Sequence, residues 1–185
     1  MALVDGGVNF DARRTGSVPR TLPYAKAANS TDLIKKGVPL VKATGADTVG
    51  LPAVSGGNST ADKLLGFGVS NDRAASSREL NSAFAMFPGE NQPGSGGLEQ
   101  VLVHVADPTT EFQLSVDPAQ APTLALEGTA IGLKLQANGQ WTLDTSYTTH
   151  APCLITKVSP EQIGVAGGFV TFKVPAGNSQ YQSGN

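Results

Sequence analysis

The chain is poor in charge, in cysteine, in histidine and in long apolar runs, and each shortage removes a class of protein. Charged residues make up 15% of its 185 residues, against about 25% in an ordinary soluble domain. The net charge of −2 gives no general attraction to nucleic acid. A single cysteine, Cys153, excludes an intrachain disulfide. Its setting, Ala-Pro-Cys-Leu-Ile-Thr, reads as a strand interior, so a buried structural thiol is expected rather than a nucleophile. No apolar run approaches the roughly 20 residues that cross a bilayer. The opening MALVDGGVNFDARR lacks the apolar stretch of a secretory signal. The expectation is a soluble protein made in the cytoplasm, with no membrane partner. The Asn-Ser-Thr triplets at Asn29 and Asn58 then read as loop rather than as glycosylation sites.

The usual catalytic patterns are missing as well. GADTVGLP carries glycines at Gly45 and Gly50 with phosphate-loop spacing, but Leu51 stands where a lysine has to reach the phosphates. There is no Gly-x-Ser-x-Gly elbow and no His-Glu-x-x-His. A zinc site needs three or four clustered ligands. Only His104, His150 and Cys153 supply nitrogen or sulfur, and a strand spacing of three turns His150 and Cys153 to opposite faces. No metal, no cofactor and no enzymatic activity are expected.

VHVADPTTEFQLSVDP, residues 103–118, tests that reading. His104, Asp107 and Glu111 suggest an acid–base set, which would need heavy-atom contacts of about 2.6–3.2 Å in a shielded pocket. Alternation sets His104 on the face away from Val103 and Val105, towards solvent or a neighbouring subunit. Proline has no amide hydrogen, and a preceding aspartate accepts a turn amide, so each Asp-Pro ends a strand. The stretch reads as a hairpin with a five-residue loop at 106–110 and a core face of Val103, Val105, Phe112, Leu114 and Val116.

What the chain has is turns and alternation. It holds 22 glycines and 12 prolines, which favours many turns and little helix. Strands are expected near Val38–Lys42, across DTVGLPAV with an interruption at Pro52, and at Leu64–Ser70, where two glycines imply close backbone packing. Further strands follow in LEQVLVHV, EFQLSV, AIGLKLQ, WTLD, PCLITKV and GFVTFKVP. Asn138-Gly139 marks a hairpin. One short helix is expected at about 74–87, inside a long loop spanning 71–97. Eight or nine short strands at close spacing mean an all-β fold, an antiparallel β-barrel or β-sandwich. The domain is placed at 33–176, with a polar, mobile tail at 177–185.

Residues 1–32 lack either periodicity. They are basic: residues 1–42 carry Arg13, Arg14, Arg20, Lys26, Lys35, Lys36 and Lys42 against three acids, whereas the chain from Leu80 onward has three lysines and eight acids. One reading is an unstructured terminus. The other is an extended arm that orders on a partner, with Phe10 and Tyr24 as anchors and Arg13, Arg14 and Arg20 as clamps.

The segments LIKKGVPLVKATGADTVGLPAV, KLLGFGVSND and VLVHVADPTTEFQL resemble capsid decoration (cement) proteins of tailed bacteriophages. The likeness runs loosely over 33–116 and lies in the Gly-x-Pro-Leu strand opening, the Leu-Gly-x-x-Val strand and the late Val-x-Val strand. The insertion 71–97 departs from the compact pattern. The resemblance implies a β-tulip-like body on the virion capsid surface. It implies a homo-oligomer, a trimer in preference, that binds the major capsid protein and staples neighbouring shell subunits. Two rivals stand beside it. One is a tail, fibre or host-attachment component; Trp141, Tyr147 and Tyr181 are the best candidates for exposed aromatics, few for a glycan site. The other is a small β-barrel ligand-binding module or enzyme, which would show an apolar pocket with converging polar groups.

Overall fold

A computed structural model describes residues 20–26, 34, 36–43, 48–69 and 100–181. They form twelve strands: β1 (Thr21–Lys26), β2 (Pro39–Lys42), β3 (Thr48–Gly50), β4 (Val54–Ser55), β5 (Asn58–Ser59), β6 (Gly66–Gly68), β7 (Gln100–Val105), β8 (Glu111–Ser115), β9 (Ala130–Leu135), β10 (Trp141–Asp144), β11 (Cys153–Lys157) and β12 (Phe169–Lys173). Among the described residues there is no α-helix, only three single turns of 3-10 helix. The expected helix near 74–87 and the loop 71–97 lie outside the described residues, as do 1–19.

The strands sort into two sheets. In the first, the pairings run β1-β3-β2-β6-β7 and return to β1, a ring of five. Only β1 and β3 are parallel within it. The second sheet has the order β4-β5-β9-β11-β12-β8, with β10 on the other side of β9. All of its pairs are antiparallel. The fold is all-β as expected, and its two sheets fit a sandwich-like arrangement better than one barrel.

Alternation explains which side chains meet. Phe112 and Leu114 on β8, and Val170 and Phe172 on β12, are buried while their neighbours are not. Val103, Val105 and Val116 are buried too, so the expected core face is correct. The hairpin is not. β7 pairs with β1 and β6, and β8 pairs with β12, so the two strands belong to different sheets. The 106–110 loop has its expected length but carries the chain from one sheet to the other. The two Asp-Pro pairs act as expected: Asp107 Oδ1 accepts the Thr109 amide at 2.9 Å, and Asp117 Oδ1 accepts the Ala119 amide at 2.9 Å. Alternation reports which face is apolar. It does not report which strand lies alongside.

The chain also passes between sheets from β3 to β4 and from β5 to β6. DTVGLPAV therefore does not form one interrupted strand. β3 stops before Pro52, and Ser55-Gly56-Gly57-Asn58 turns β4 back as β5. The Asn138-Gly139 hairpin forms as expected, with Gly139 at φ 84°, where an L side chain is strained. Gly66 shows the close approach expected of the β6 glycines: a Cβ there would run into the His104 carbonyl on β7.

Two boundaries move. Thr21–Lys26 is a strand of the first sheet rather than part of an arm outside the body, because its backbone pairs with β7 over five positions and with β3 over two. The tail is held rather than free as far as Tyr181. Leu64 N–H bonds Asn178 O at 2.9 Å and Gln180 N–H bonds Leu64 O at 2.8 Å. The Ser179 hydroxyl donates to Ala106 O at 2.7 Å, and the Lys42 amide donates to Gln180 Oε1 at 2.6 Å. Residues 176–181 thus strap the end of the second sheet onto the first.

One core lies between the sheets. Phe67 from the first sheet meets Phe112 and Phe172 from the second, with ring centroids 4.6 and 5.8 Å apart, and Phe112 and Phe172 are 5.8 Å apart. All three are essentially inaccessible. Phe67→Ala is expected to cost about 3–5 kcal/mol. The chain's one tryptophan, Trp141, is buried in the second sheet. Its fluorescence should follow the same urea transition as far-ultraviolet circular dichroism, and Phe67→Ala should shift both together. A shift in one signal alone would mean that the sheets unfold separately.

Candidate interaction surface

The residues weighed as an acid–base set do not assemble. His104 is partly buried, and its Nδ1 lies 2.8 Å from Thr21 Oγ1 on β1. Burial pushes its imidazole below the ordinary value. Asp107 is engaged by the Thr109 hydroxyl at 2.7 Å and the Thr109 amide, which hold its carboxyl below the ordinary range. His150 sits in a turn before β11 at φ 51°, with Nδ1 2.8 Å from Asp62 Oδ1. It is not in a strand with Cys153, as the spacing suggested. Cys153 is fully buried, which pushes its thiol far up. Among the described residues no three His, Cys, Asp or Glu side chains stand close enough to hold a metal ion.

Of the partner-contact residues, Phe10, Arg13 and Arg14 lie outside the described residues. Arg20 is exposed, and its guanidinium donates to the Tyr181 hydroxyl and lies 6.0 Å from that ring's centroid. Tyr24 lies on β1, partly buried against this chain's own core. It is thus not a free anchor. Trp141 is buried, so it is not one of the exposed aromatics.

A polar cluster joins β9 and β10 to the turn after β8. Asp117 and Asp144 are both 5% exposed. Lys134, on β9, bonds the Asp117 carboxylate, and that bond, with the Ala119 amide behind it, holds Asp117 below the ordinary carboxylate range. The same contact raises Lys134. Burial works to raise Asp144. The Ser146 hydroxyl at 2.6 Å, Gln120 Nε2 at 2.8 Å and the Ser146 amide at 3.0 Å outweigh it, and the carboxyl ends below its ordinary value. Gln120 Oε1 accepts the Thr145 amide at 2.8 Å. Each carboxylate has its donors from this chain, so the cluster locks the turn after β8 onto the β9–β10 hairpin.

The exposed apolar side chains tell more. Five large ones exceed a third exposure among the described residues: Val54, Leu124, Ile163, Val165 and Phe169. The last four belong to one region. Leu124 lies in the β8–β9 loop, Ile163 and Val165 in the β11–β12 loop, and Phe169 opens β12. These loops leave the same end of the second sheet, since Ser115 and Phe169 pair directly. They are laced together by Gly164 N–H to Pro122 O at 3.0 Å and Gly167 N–H to Gln120 O at 2.8 Å. Gln162 Oε1 accepts the Phe169 amide at 2.9 Å. Leu124 is 59% and Phe169 47% exposed. Large apolar side chains left exposed on loops that are tied to each other mark a candidate contact surface. Strand periodicity could not reveal this group, because three of the four lie in loops. The available signal was compositional: leucine, isoleucine and valine within Gly- and Pro-rich connections.

No family model matches the chain, and no curated protein matches it.

The buried carboxylates set an acid limit. Their folded values lie below the unfolded ones, so the stability they add is full above the unfolded value and is lost as pH falls through the folded one. Stability measured by urea titration should drop as pH falls below about 4. Asp117→Asn keeps an acceptor for Ala119 but loses the charge opposite Lys134. It should cost about 1 kcal/mol at neutral pH, since Lys134 is one-third exposed, and it should flatten the acid slope.

Proposed function

We propose that the protein is a non-enzymatic structural component of a tailed-phage particle that binds the outside of the capsid shell and stabilises it. The observation that carries the reading is the apolar loop surface of Leu124, Ile163, Val165 and Phe169. Cementing draws its free energy from buried area rather than from reacting groups. Loops tied to each other and to a sheet lose little freedom when a partner covers them. The first sheet offers a separate contact through the segment before β1, where Phe10, Arg13 and Arg14 lie. A protein that joins neighbouring shell subunits needs two such faces. In this reading the partner is the major capsid protein, the copies associate as trimers, and many weak contacts on the lattice act together.

The test is binding of purified full-length protein to shells of the phage that carries its reading frame. The wild type should co-sediment with shells. Leu124→Ser combined with Val165→Ser should weaken binding tenfold or more, a loss of about 1.4 kcal/mol or greater, with the urea midpoint unchanged. Removal of residues 1–19 should weaken it as well. A wild-type chain that binds tails and not shells, or neither, overturns the reading.

A further inference from the structure

We infer that β1 is an exchangeable strand: when copies of this chain assemble, Thr21–Lys26 of one copy fills the gap between β3 and β7 of another. The inference rests on the ring, not on the virion reading.

β1 is the strand that closes the first sheet, lying antiparallel to β7 and parallel to β3. Its backbone pairs with strands on both sides, and its Tyr24 side chain packs, partly buried, against the core. Thr21 is exposed, and Leu22 and Tyr24 are only partly buried. Among the described residues the fully buried apolar side chains begin further along, at Ile34. Pro23 lies within the strand and has no amide hydrogen to give. It stands opposite Leu102, ahead of the β3 pairing that begins at Ala25. That is where a strand with one unpaired edge tolerates proline. Among its described side chains, Thr21, Leu22 and Tyr24, none is fully buried, so the departure of β1 takes none of these from the deep interior.

The gap it would leave does not tolerate vacancy. Both flanking strands would present unpaired backbone groups beside Val49 and Val103, which are fully buried. Such edges recruit another strand. The gap also selects this strand in this register. Tyr181 accepts from Arg20, His104 Nδ1 meets Thr21 Oγ1 at 2.8 Å, and the Val105 amide donates to Arg20 O at 3.0 Å. Each contact has one partner on β1 or just before it and one on the body, so β1 of a second copy satisfies them all. The connection from Lys26 to Ile34 can span at most about 26–29 Å, enough to reach an adjoining subunit. Exchange of an identical element between protomers is a low-cost route to a closed oligomer.

The test mixes two full-length populations before folding, one carrying Thr21→Cys and the other His104→Cys. These positions are directly opposed. Under mild oxidation the account predicts a disulfide-linked dimer containing one chain of each kind. It is overturned if the mixture gives no such dimer while a chain carrying both substitutions closes the link within itself. A variant-free measurement decides the matter if the cysteine chains fail to fold. Lys26 and Lys42 both stand opposite Val49, on either side of β3, so their Cα atoms are about 9–10 Å apart. In an equal mixture of isotopically heavy and light unmodified chains folded together, exchange makes about half of the short Lys26–Lys42 cross-links heavy–light. Cross-links confined to heavy–heavy and light–light pairs would refute it.

Discussion

The contact between Phe67 and the pair Phe112 and Phe172 holds the architecture together. Two sheets share one core there, and the chain passes between them at β3–β4, β5–β6 and β7–β8 before the strap at 176–181 returns. Neither sheet is a contiguous stretch of sequence, so neither has its own covalent unit to fold with. The close approach of β6 to β7 at Gly66 brings Phe67 into this contact, and the crossover at 106–110 delivers Phe112 to it.

That core leaves the chemistry on the outside. The carboxylates of Asp107, Asp117 and Asp144 are spent on holding turns. The thiol is buried among apolar side chains. Among the described residues the exposed feature that stands out is the pair of laced loops at one end of the second sheet. Asp117, Gln120 and Leu124 lie on the same loop: Asp117 and Gln120 fix its start to β10 and to Gly167, while Leu124 is exposed further on. The polar network thus gives the exposed group a rigid base, and a surface already ordered binds with less entropic loss.

Much of the fold was legible because strand alternation is a local property. Val103, Phe112, Leu133 and Phe172 announce their faces within a few residues, and Asn138-Gly139 announces its turn. Pairing partners are not local. Val105 and Phe112 lie on consecutive strands with a hairpin-length loop, yet separate sheets claim them, and nothing within the stretch could say so. β1 escaped notice because TLPYAK contains a proline and lacks apolar alternation. It is ordered by the edges of β3 and β7, which are distant in sequence. The strap was missed for the same reason: Asn178 and Gln180 are polar residues whose backbones pair with Leu64. The Gly56-Gly57 turn was readable and is the one local signal that a reading of DTVGLPAV as a single strand passed over. The apolar surface was written in Leu124, Ile163 and Val165, but it becomes a surface only once two loops meet.

In the proposed role this body is covered at those loops on the outside of a shell. Electron cryomicroscopy of the tailed-phage particles that the proposal places it on tests this most directly. The account predicts density for the two-sheet body on the shell exterior, with Leu124, Ile163, Val165 and Phe169 against the shell or against a second copy. Density on the tail instead, or a shell-bound body with those four side chains facing solvent, would contradict it.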